Sequence, residues 1–238
     1  MWRHKRVSVI FPTYRERASI RQAIEDFFAS GFVDEIVVVD NNAEPGTREE
    51  VARTRARLVC EPRQGYGYAI WKGLAEATGD ILIISEPDGT FSGNDVVKLL
   101  AYSDDFAYVL GTRTTREMIW RGANMGIFLR WGNWAVAKLL EFLYNTPQLT
   151  DVGCTMRLIR RPLYEKIRPL FSIGTQHFGP ELTILVVKSR TRFMEIPVNY
   201  RPRVGTSSVT GSLRRAFFLG CQMIWLIVRY RFRRIQVR

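Results

Sequence analysis

Short apolar runs alternate with helical segments throughout the N-terminal half of the chain, and this alternation constrains the fold most strongly. The runs are rich in Val and Ile and are too short to be helices. We predict strands at residues 7–11, 35–40, 58–60, 80–85 and 106–110, and helices at 18–30, 47–57, 67–78 and 94–102. Apolar strands separated by helices predict an α/β fold, with a mainly parallel sheet flanked by helices.

Polar residues follow most of the predicted strands at the point where each strand ends. In open α/β sheets, ligands bind at the carboxyl ends of the strands. The sequence therefore places candidate site residues at 13–16, 40–42, 86–88 and 111–113.

The second half of the chain has a different character, because residues 118–144 are rich in aromatic side chains. We predict two amphipathic helices there, short helices at 163–170 and 181–188, and a strand at 192–198. The aromatic stripe suits a platform at a membrane surface, and core packing is the alternative. We predict one catalytic domain at residues 1–212 and a C-terminal extension at residues 213–238.

Positive charge is concentrated at the C-terminus. The chain of 238 residues has a formal net charge of +12, and no acidic residue follows Glu195. Nine arginines lie beyond that point: Arg201, Arg203, Arg214, Arg215, Arg229, Arg231, Arg233, Arg234 and Arg238. A nearly balanced body with a basic end favours docking of that end on an anionic surface.

The uncharged run at residues 216–228 lies between these arginines. It is shorter than the roughly 17–25 apolar residues that a membrane span requires. We therefore predict an amphipathic helix that lies in the membrane interface, where arginines contact anionic lipid headgroups. The alternative is a buried helix with a solvated basic end.

Composition excludes several classes of protein. Hydrophobic residues make up 46% and charged residues 24% of the chain, as in a globular protein with a core. The three cysteines, Cys60, Cys154 and Cys221, are widely spaced and only two histidines occur, so neither a zinc site nor a disulfide framework is expected. We expect a reducing compartment and no signal peptide, and hence a cytoplasmic protein peripheral to the cytoplasmic face of the membrane.

Three segments at predicted strand ends have the chemistry of a phosphate site. Glu86 and Asp88 could hold Mg²⁺ or Mn²⁺, although Pro-Asp-Gly is also common in turns. Asp40 could bind a nucleobase or ribose, or could cap a helix or turn instead. In the segment 64–67, Gly65 and Gly67 allow the backbone to approach a ligand near a helix N-terminus.

The ordered set of motifs resembles a known family. Segments 9–16, 37–42, 64–67 and 86–88 are similar to those of family 2 glycosyltransferases, which have the Rossmann-like GT-A fold. Segments 149–157 and 196–207 resemble those of polyprenyl-phosphate sugar synthases, such as the dolichol-phosphate mannose synthases. The resemblance covers residues 7–210.

This resemblance implies roles for particular residues. Pro12, Tyr14 and Glu16 would hold the nucleoside, with Asp40 at its base or ribose. Glu86 and Asp88 would organise the metal, and Arg113, Arg130 and Arg203 would face phosphates. Glu181 matches a glutamate of the family's Gln-x-Glu segment. The chain departs from the family pattern at Glu86-Pro87-Asp88-Gly89-Thr90, at Asn42 and at Ser208.

The resemblance implies inverting, metal-dependent transfer of a sugar from a UDP- or GDP-sugar to a polyprenyl phosphate. A phosphomonoester is largely ionised at neutral pH, so it needs alignment and neighbouring cations more than a general base. No nucleic acid partner is expected. One alternative is transfer to a hydroxyl of a lipid-linked or polysaccharide acceptor, with Glu181 as base. The other is a catalytically inactive module that binds anionic lipid or nucleic acid.

Overall fold

A computed structural model of the chain describes residues 1–123, 125–205 and 213–233. Within these residues one seven-stranded sheet has the strand order β3-β2-β1-β4-β6-β5-β7. Only β6 runs antiparallel to its neighbours. The strands are β1 (Val7–Thr13), β2 (Glu35–Asp40), β3 (Arg57–Cys60), β4 (Ile81–Ile84), β5 (Tyr108–Thr112), β6 (Arg157–Arg160) and β7 (Phe193–Pro197).

The helices surround this sheet and confirm the predicted α/β class. They are α1 (Arg17–Ala29), α2 (Thr47–Ala52), α3 (Tyr66–Glu76), α4 (Val96–Tyr102), α5 (Ile127–Tyr144), α6 (Arg161–Ile167), α7 (Phe178–Lys188) and α8 (Leu213–Phe232). Short 3-10 turns lie at Gly93–Asp95, Arg116–Met118 and Arg168–Leu170. The central strands β1, β2 and β4 are buried almost throughout, which explains their continuous Val and Ile content.

The register of the sheet brings the predicted strand ends together. Thr13 of β1 pairs with Asp40 of β2, which in turn pairs with Cys60 of β3. On the other side of β1, Ile10 pairs with Ile84 at the end of β4. The residues that follow β1, β2 and β4 therefore lie along one edge of the sheet.

Strand β6 was not predicted, and its buried arginine explains why. Arg157 lies inside the sheet layer with only 2% of its surface exposed. Its guanidinium donates to the carbonyls of Cys154 (2.6 Å), Val152 (2.6 Å) and Gly179. Two of these acceptors lie in the preceding turn and the third lies at the start of α7, so the buried arginine is satisfied although its sequence context has no apolar run.

The prediction of two helices in residues 118–144 was wrong, because among the described residues of this segment only Ile127–Tyr144 form an α-helix. Tyr200 holds the preceding segment in extended pairing: its N–H donates to the Met118 carbonyl and its carbonyl accepts from the Trp120 N–H, both at 2.9 Å. Gly122 then takes a φ of +87°, which a helix cannot accommodate. A contact with a residue far away in the sequence thus overrides the local amphipathic pattern.

Helix α8 begins at the predicted boundary of the C-terminal extension but belongs to the packed body. Met223, Leu226, Ile227 and Tyr230 are buried in the common core. No helix in the described ranges is both long and apolar enough to cross a bilayer. Thr206, Ser207 and Ser208 of the late motif, together with Arg234 and Arg238, lie outside the described residues.

Candidate active site

A cleft of about 720 Å³ lies along the carboxyl edge of the sheet. Its floor is polar and comes from the ends of β1 and β4. Its opposite wall comes from α5 and α8 and is largely apolar. Six residues of the predicted site line it: Pro12, Tyr14, Glu16, Glu86, Arg113 and Arg203.

Arg203 gathers the acidic residues of the polar floor. One guanidinium nitrogen lies 2.9 Å from Asp88 and 3.9 Å from Glu86, and the other lies 3.0 Å from Glu16. Two backbone hydrogen bonds bring Arg203 to this place, since Arg201 N–H donates to the Thr90 carbonyl and Val204 N–H to the Asp88 carbonyl, both at 2.9 Å. The predicted phosphate-facing arginine and the predicted metal-binding pair therefore meet.

The two carboxylates of the Glu-Pro-Asp segment differ in environment. Asp88 is fully buried, and its Oδ1 accepts hydrogen bonds from the backbone N–H and the hydroxyl of Thr90. Glu86 is only partly enclosed. Loss of solvent and the neighbouring Asp88 charge raise the pKa of Glu86 to about 8, although Arg203 acts in the opposite direction. A cation beside this pair favours the doubly charged form.

The donor chemistry of this pair suits a hard divalent cation. Oδ2 of Asp88 is buried and accepts no hydrogen bond from the described residues, although it forms the ion pair with Arg203. Mg²⁺ commonly takes one or two carboxylates and completes its shell with phosphate oxygens and water. In the described part of the chain no group of three or more His, Cys, Asp or Glu side chains could hold a metal. The site fits a cation that is shared with a phosphate ligand.

The side of the cleft beside β2 and the start of α3 contains two residues that lie within the predicted segments but were assigned no role of their own. Asn41 accepts from the Gly65 N–H at 2.9 Å and donates to the carbonyls of Glu61 and Arg63. Gln64 lies beside it and donates to Asn41 Oδ1 at 3.2 Å. Both line the cleft. Their positions within the segments 40–42 and 64–67 were the available signal.

Asp40 does not reach the cleft, so its predicted role at the base or ribose is corrected. Its side chain is buried, where Oδ1 accepts from the Ala43 N–H at 2.8 Å and Oδ2 pairs with Arg48 at 2.6 Å. Asp40 therefore organises the turn before α2, as the capping alternative describes. Because side chains alternate along a strand, the next residue, Asn41, faces the ligand side instead.

Gly65 and Gly67 are required by packing against the chain itself. A Cβ atom at Gly65 would lie 2.2 Å from the Gly174 carbonyl oxygen, and one at Gly67 would lie 2.3 Å from that of Ile173. Gly65 also has a φ of +153°. Neither residue is among those lining the cleft, so the prediction that these glycines let the backbone approach a ligand is corrected. They are small because residues 173–174 pack closely against them.

Asp151 fixes Arg113 at the edge of the cleft. It accepts from Arg113 Nε at 2.8 Å and from Nη2 at 3.0 Å, and it is fully buried. The Tyr200 ring lies 5.3 Å from the same guanidinium. These two parallel hydrogen bonds fix the orientation of the Arg113 guanidinium, which lines the cleft. Asp151 and Tyr200 were missed as site residues, although both lie in the two late motifs.

Arg130 and Glu181 do not have the predicted direct roles. Arg130 lies on α5 and is half-buried, whereas the residues of α5 that line the cleft lie on an adjacent face. Glu181 is fully buried in α7 and is not among the lining residues. Its carboxylate oxygens accept from Ser172 and Ile173 backbone N–H groups and from the Tyr230 hydroxyl. It is therefore not placed to act as a base on a substrate.

The apolar wall of the cleft joins two helices that are distant in sequence. We call this surface the helical wall, and it consists of Phe128, Leu129, Gly132 and Val136 of α5 with Phe217, Gly220, Met223 and Ile224 of α8. Tyr144 ties the helices together, because its hydroxyl donates to the Ile227 carbonyl at 2.9 Å. Outside the cleft both helices expose further aromatic side chains, among them Trp131, Phe142, Trp225 and Phe232.

Comparison with known sequences identifies the relatives of this chain. The sequence profile of glycosyl transferase family 2 matches residues 8–168. An uncharacterized glycosyltransferase of Mycobacterium tuberculosis is 31% identical over 210 residues, which cover 87% of this chain and 91% of that protein. A dolichyl-phosphate hexose transferase of Haloferax volcanii is 28% identical over 206 residues, covering 85% and 86% of the two chains.

Solved structures support the same fold. Glucosyl-3-phosphoglycerate synthase from Mycobacterium tuberculosis, in complex with Mn²⁺, UDP and phosphoglyceric acid, superimposes with a TM-score of 0.74 at 18% identity, covering 98% of this chain and 81% of that one. Its sheet and helices have the GT-A arrangement found here. From the profile match, the similarity over most of the chain and the shared fold, we conclude that this protein belongs to glycosyl transferase family 2 and has a GT-A fold.

Proposed function

We propose that the protein transfers a hexosyl group from a nucleotide-diphosphate sugar to a polyprenyl phosphate at a membrane surface. One observation carries this proposal: a single cleft joins the charged floor of Glu16, Glu86 and Arg203 to the apolar helical wall. A polyprenyl phosphate has the matching character, with a charged group at one end and a long apolar chain at the other. A small polar acceptor would leave the helical wall without a partner.

The relatives support the chemistry of each partner. The Haloferax relative is a dolichyl-phosphate hexose transferase, and the mycobacterial structural neighbour binds Mn²⁺, UDP and a phosphorylated acceptor. In the present chain, Pro12, Tyr14, Asn41 and Gln64 line the part of the cleft suited to the nucleoside. Glu86 and Asp88 would hold Mg²⁺ or Mn²⁺, which supplies positive charge beside the diphosphate.

The acceptor phosphate can act as nucleophile without a protein base. One of its oxygens forms the bond to the anomeric carbon, and the bond from that carbon to the nucleoside diphosphate breaks with its electron pair leaving on the diphosphate. Arg113 and Arg203 line the cleft and reduce the repulsion between the two anions. Single displacement of this kind inverts the anomeric configuration. The buried position of Glu181 agrees with a reaction that needs no base there.

An acceptor panel tests the function. Protein with Mg²⁺ or Mn²⁺ is incubated with UDP- and GDP-sugars and a short polyprenyl phosphate in detergent, and products are identified by mass spectrometry. Parallel reactions contain the corresponding polyprenol, which lacks the phosphate, or 3-phosphoglycerate. We expect an inverted polyprenyl-phosphate sugar only in the first set. Product from polyprenol or 3-phosphoglycerate alone would refute the proposed acceptor, and retained configuration would refute single displacement.

Peripheral contact with the cytoplasmic face of an anionic membrane forms part of the same proposal. Exposed aromatic side chains lie on α5 and α8, the two helices that form the helical wall, and Arg214, Arg229 and Arg231 lie on α8, with Arg233 directly after it. Aromatic and arginine side chains on one helical surface are typical of interfacial binding. A lipid acceptor could then enter the cleft while its tail remained in the bilayer.

Vesicle flotation tests this contact. Deleting residues 213–238 is unsuitable, because α8 supplies core residues such as Leu226 and Tyr230. Instead, Trp131→Ser combined with Trp225→Ser removes two exposed rings, and Tyr102→Ser on the distant helix α4 is the matched control. We expect the double variant to lose binding to vesicles containing phosphatidylglycerol, and the control to retain it. Equal flotation of both variants would refute the docking surface.

A further inference from the structure

Glu181 occupies the centre of a buried hydrogen-bond network that the reaction does not use. Its Oε1 accepts from the Ser172 hydroxyl at 2.6 Å, and its Oε2 accepts from the Ile173 N–H at 2.9 Å. The Ser172 N–H lies 3.1 Å from both oxygens. The Tyr230 hydroxyl donates to Oε1 and lies 2.7 Å from the Ser172 hydroxyl. A buried carboxylate with this many fixed donors is held in one place.

These hydrogen-bond donors come from two elements that meet at Glu181 and that both contribute residues to the lining of the cleft. Ser172 and Ile173 begin the loop at 171–176, whereas Tyr230 lies near the end of α8. The loop supports the start of α3, which follows the nucleoside-side residue Gln64, because the Gly174 carbonyl accepts from the Tyr68 N–H at 3.1 Å in the first turn of α3. Gln176 of the same loop lines the cleft. Helix α8 forms part of the helical wall.

We propose that Glu181 is a positioning residue for sugar transfer, which holds the loop at 171–176 and helix α8 in a fixed position relative to each other beside the cleft. Its own side chain touches neither substrate. Through Ser172 and Ile173 it sets the position of Gln176 and the start of α3, and through Tyr230 it sets the position of the helical wall. This inference rests on the proposed function for the identity of the lipid acceptor, but its expected effect on nucleotide binding does not depend on which acceptor is used.

A tyrosine pair on α8 provides a matched test. Tyr230→Phe keeps the ring but removes the hydroxyl that donates a hydrogen bond to Glu181. Tyr144→Phe removes a different hydroxyl that also anchors α8, through the Ile227 carbonyl, without contacting Glu181. The probe is Mn²⁺ with UDP or GDP, whichever the unmodified protein binds more tightly, measured by calorimetry. Hydrogen exchange at the Ser172 and Ile173 amides is followed in the same proteins.

We expect Tyr230→Phe to weaken nucleotide binding by about fivefold, as for one lost hydrogen bond of ordinary strength, and to speed exchange at both amides. Tyr144→Phe should change neither measurement. If the two variants behave alike, or if Tyr230→Phe lowers only the melting temperature, the positioning role is refuted. Failure to detect any lipid product would count against the proposed acceptor alone, because nucleotide affinity and exchange do not depend on it.

Glu181→Gln separates positioning from base catalysis. It keeps the size of the side chain but turns an NH₂ group toward donors that require an acceptor. We expect a higher KM for the sugar nucleotide, a smaller change in kcat and an unchanged shape of the pH profile of kcat/KM. Loss of the acidic limb of that profile would identify Glu181 as a base and overturn the proposal. If this variant fails to fold, the Tyr230→Phe result decides.

Discussion

The polar floor and the helical wall of the cleft depend on different kinds of interaction. At the polar floor, Arg203 contacts Glu16, Glu86 and Asp88 over distances of 2.9 to 3.9 Å, and each partner is fixed by a strand end. At the helical wall, α5 and α8 line the cleft with apolar side chains such as Leu129 and Phe217, and apolar contacts have no preferred direction. Substitutions at the floor should therefore cost far more activity than substitutions at the wall.

The largest effect is expected at Asp88. Asp88→Asn keeps the shape of the side chain but removes the charge that faces Arg203. Removal of one preorganised electrostatic group commonly lowers kcat by about 10²- to 10³-fold, and we expect a loss in this range. The matched control is Asp104→Asn, because Asp104 forms only a surface ion pair with Arg3. Steady-state rates and melting temperatures are compared, and a nearly unchanged rate for Asp88→Asn would mean that the floor does not depend on charge.

A smaller loss is expected at Arg113. Arg113→Lys keeps the positive charge but cannot form the two-pronged contact with Asp151. A hydrogen bond between charged groups contributes about 1.5–3 kcal/mol, so kcat/KM should fall by about 10- to 100-fold. Arg57→Lys, which alters an ion pair with Glu35 and Glu76, serves as the control. Equal kcat/KM values for the two variants would show that the fixed orientation of Arg113 does not matter for the reaction.

At the helical wall we expect a change in acceptor affinity without a change in chemistry. Phe217→Ser should raise the KM for a long polyprenyl phosphate by about tenfold, as for the loss of one apolar side-chain contact, and should leave kcat nearly unchanged. Tyr102→Ser on α4 is the control, since Tyr102 is 43% exposed, lies outside the proposed membrane-contact helices and does not line the cleft. An equal effect on a very short acceptor would indicate that Phe217 does not contact the lipid chain.

The smallest effect concerns cysteine reactivity. Cys221 is exposed and lines the cleft on α8, so bound polyprenyl phosphate should slow its alkylation severalfold. Cys60 is exposed elsewhere and should react at an unchanged rate. Burial raises the pKa of Cys154 to about 12, so at pH 8 only about one thiol in ten thousand is the reactive thiolate. Peptide mass spectrometry measures all three sites, and modification of Cys154 in the folded protein would contradict the structure.

The polar floor was predictable because its residues directly follow apolar strands. The continuous Val and Ile content of β1 and β4 identifies the strands, and parallel strands end at one edge, so Glu16, Glu86 and Asp88 had to lie near one another. Arg203 was predicted to belong to the same site from the motif resemblance of residues 196–207, and not from the local sequence pattern. At the same edge, the prediction that Asp40 binds the base or ribose was wrong, because the position of a residue along a strand does not tell on which side of the strand its side chain lies.

Residues that act through distant partners could not be predicted in this way. Glu181 resembles a catalytic carboxylate in sequence, yet Ser172 and Tyr230 surround it in the structure. Gly65 has the features of a ligand-binding glycine, yet Gly174 occupies the space that its Cβ would need. In both cases the partner lies many residues away, and local periodicity carries no information about it.

The sequence alone determined the α/β class, the order of the first five strands along the chain, the charged strand ends and the basic C-terminus. These follow from local physical chemistry, because apolar continuity, helical spacing and charge are properties of neighbouring residues. Only the tertiary structure decided that β6 inserts between β4 and β5, that Ile119 pairs with Tyr200 instead of lying in a helix and that α5 and α8 form one wall. Each of these depends on contacts such as that of Tyr200 with Met118 and Trp120, which exist only once the chain has folded.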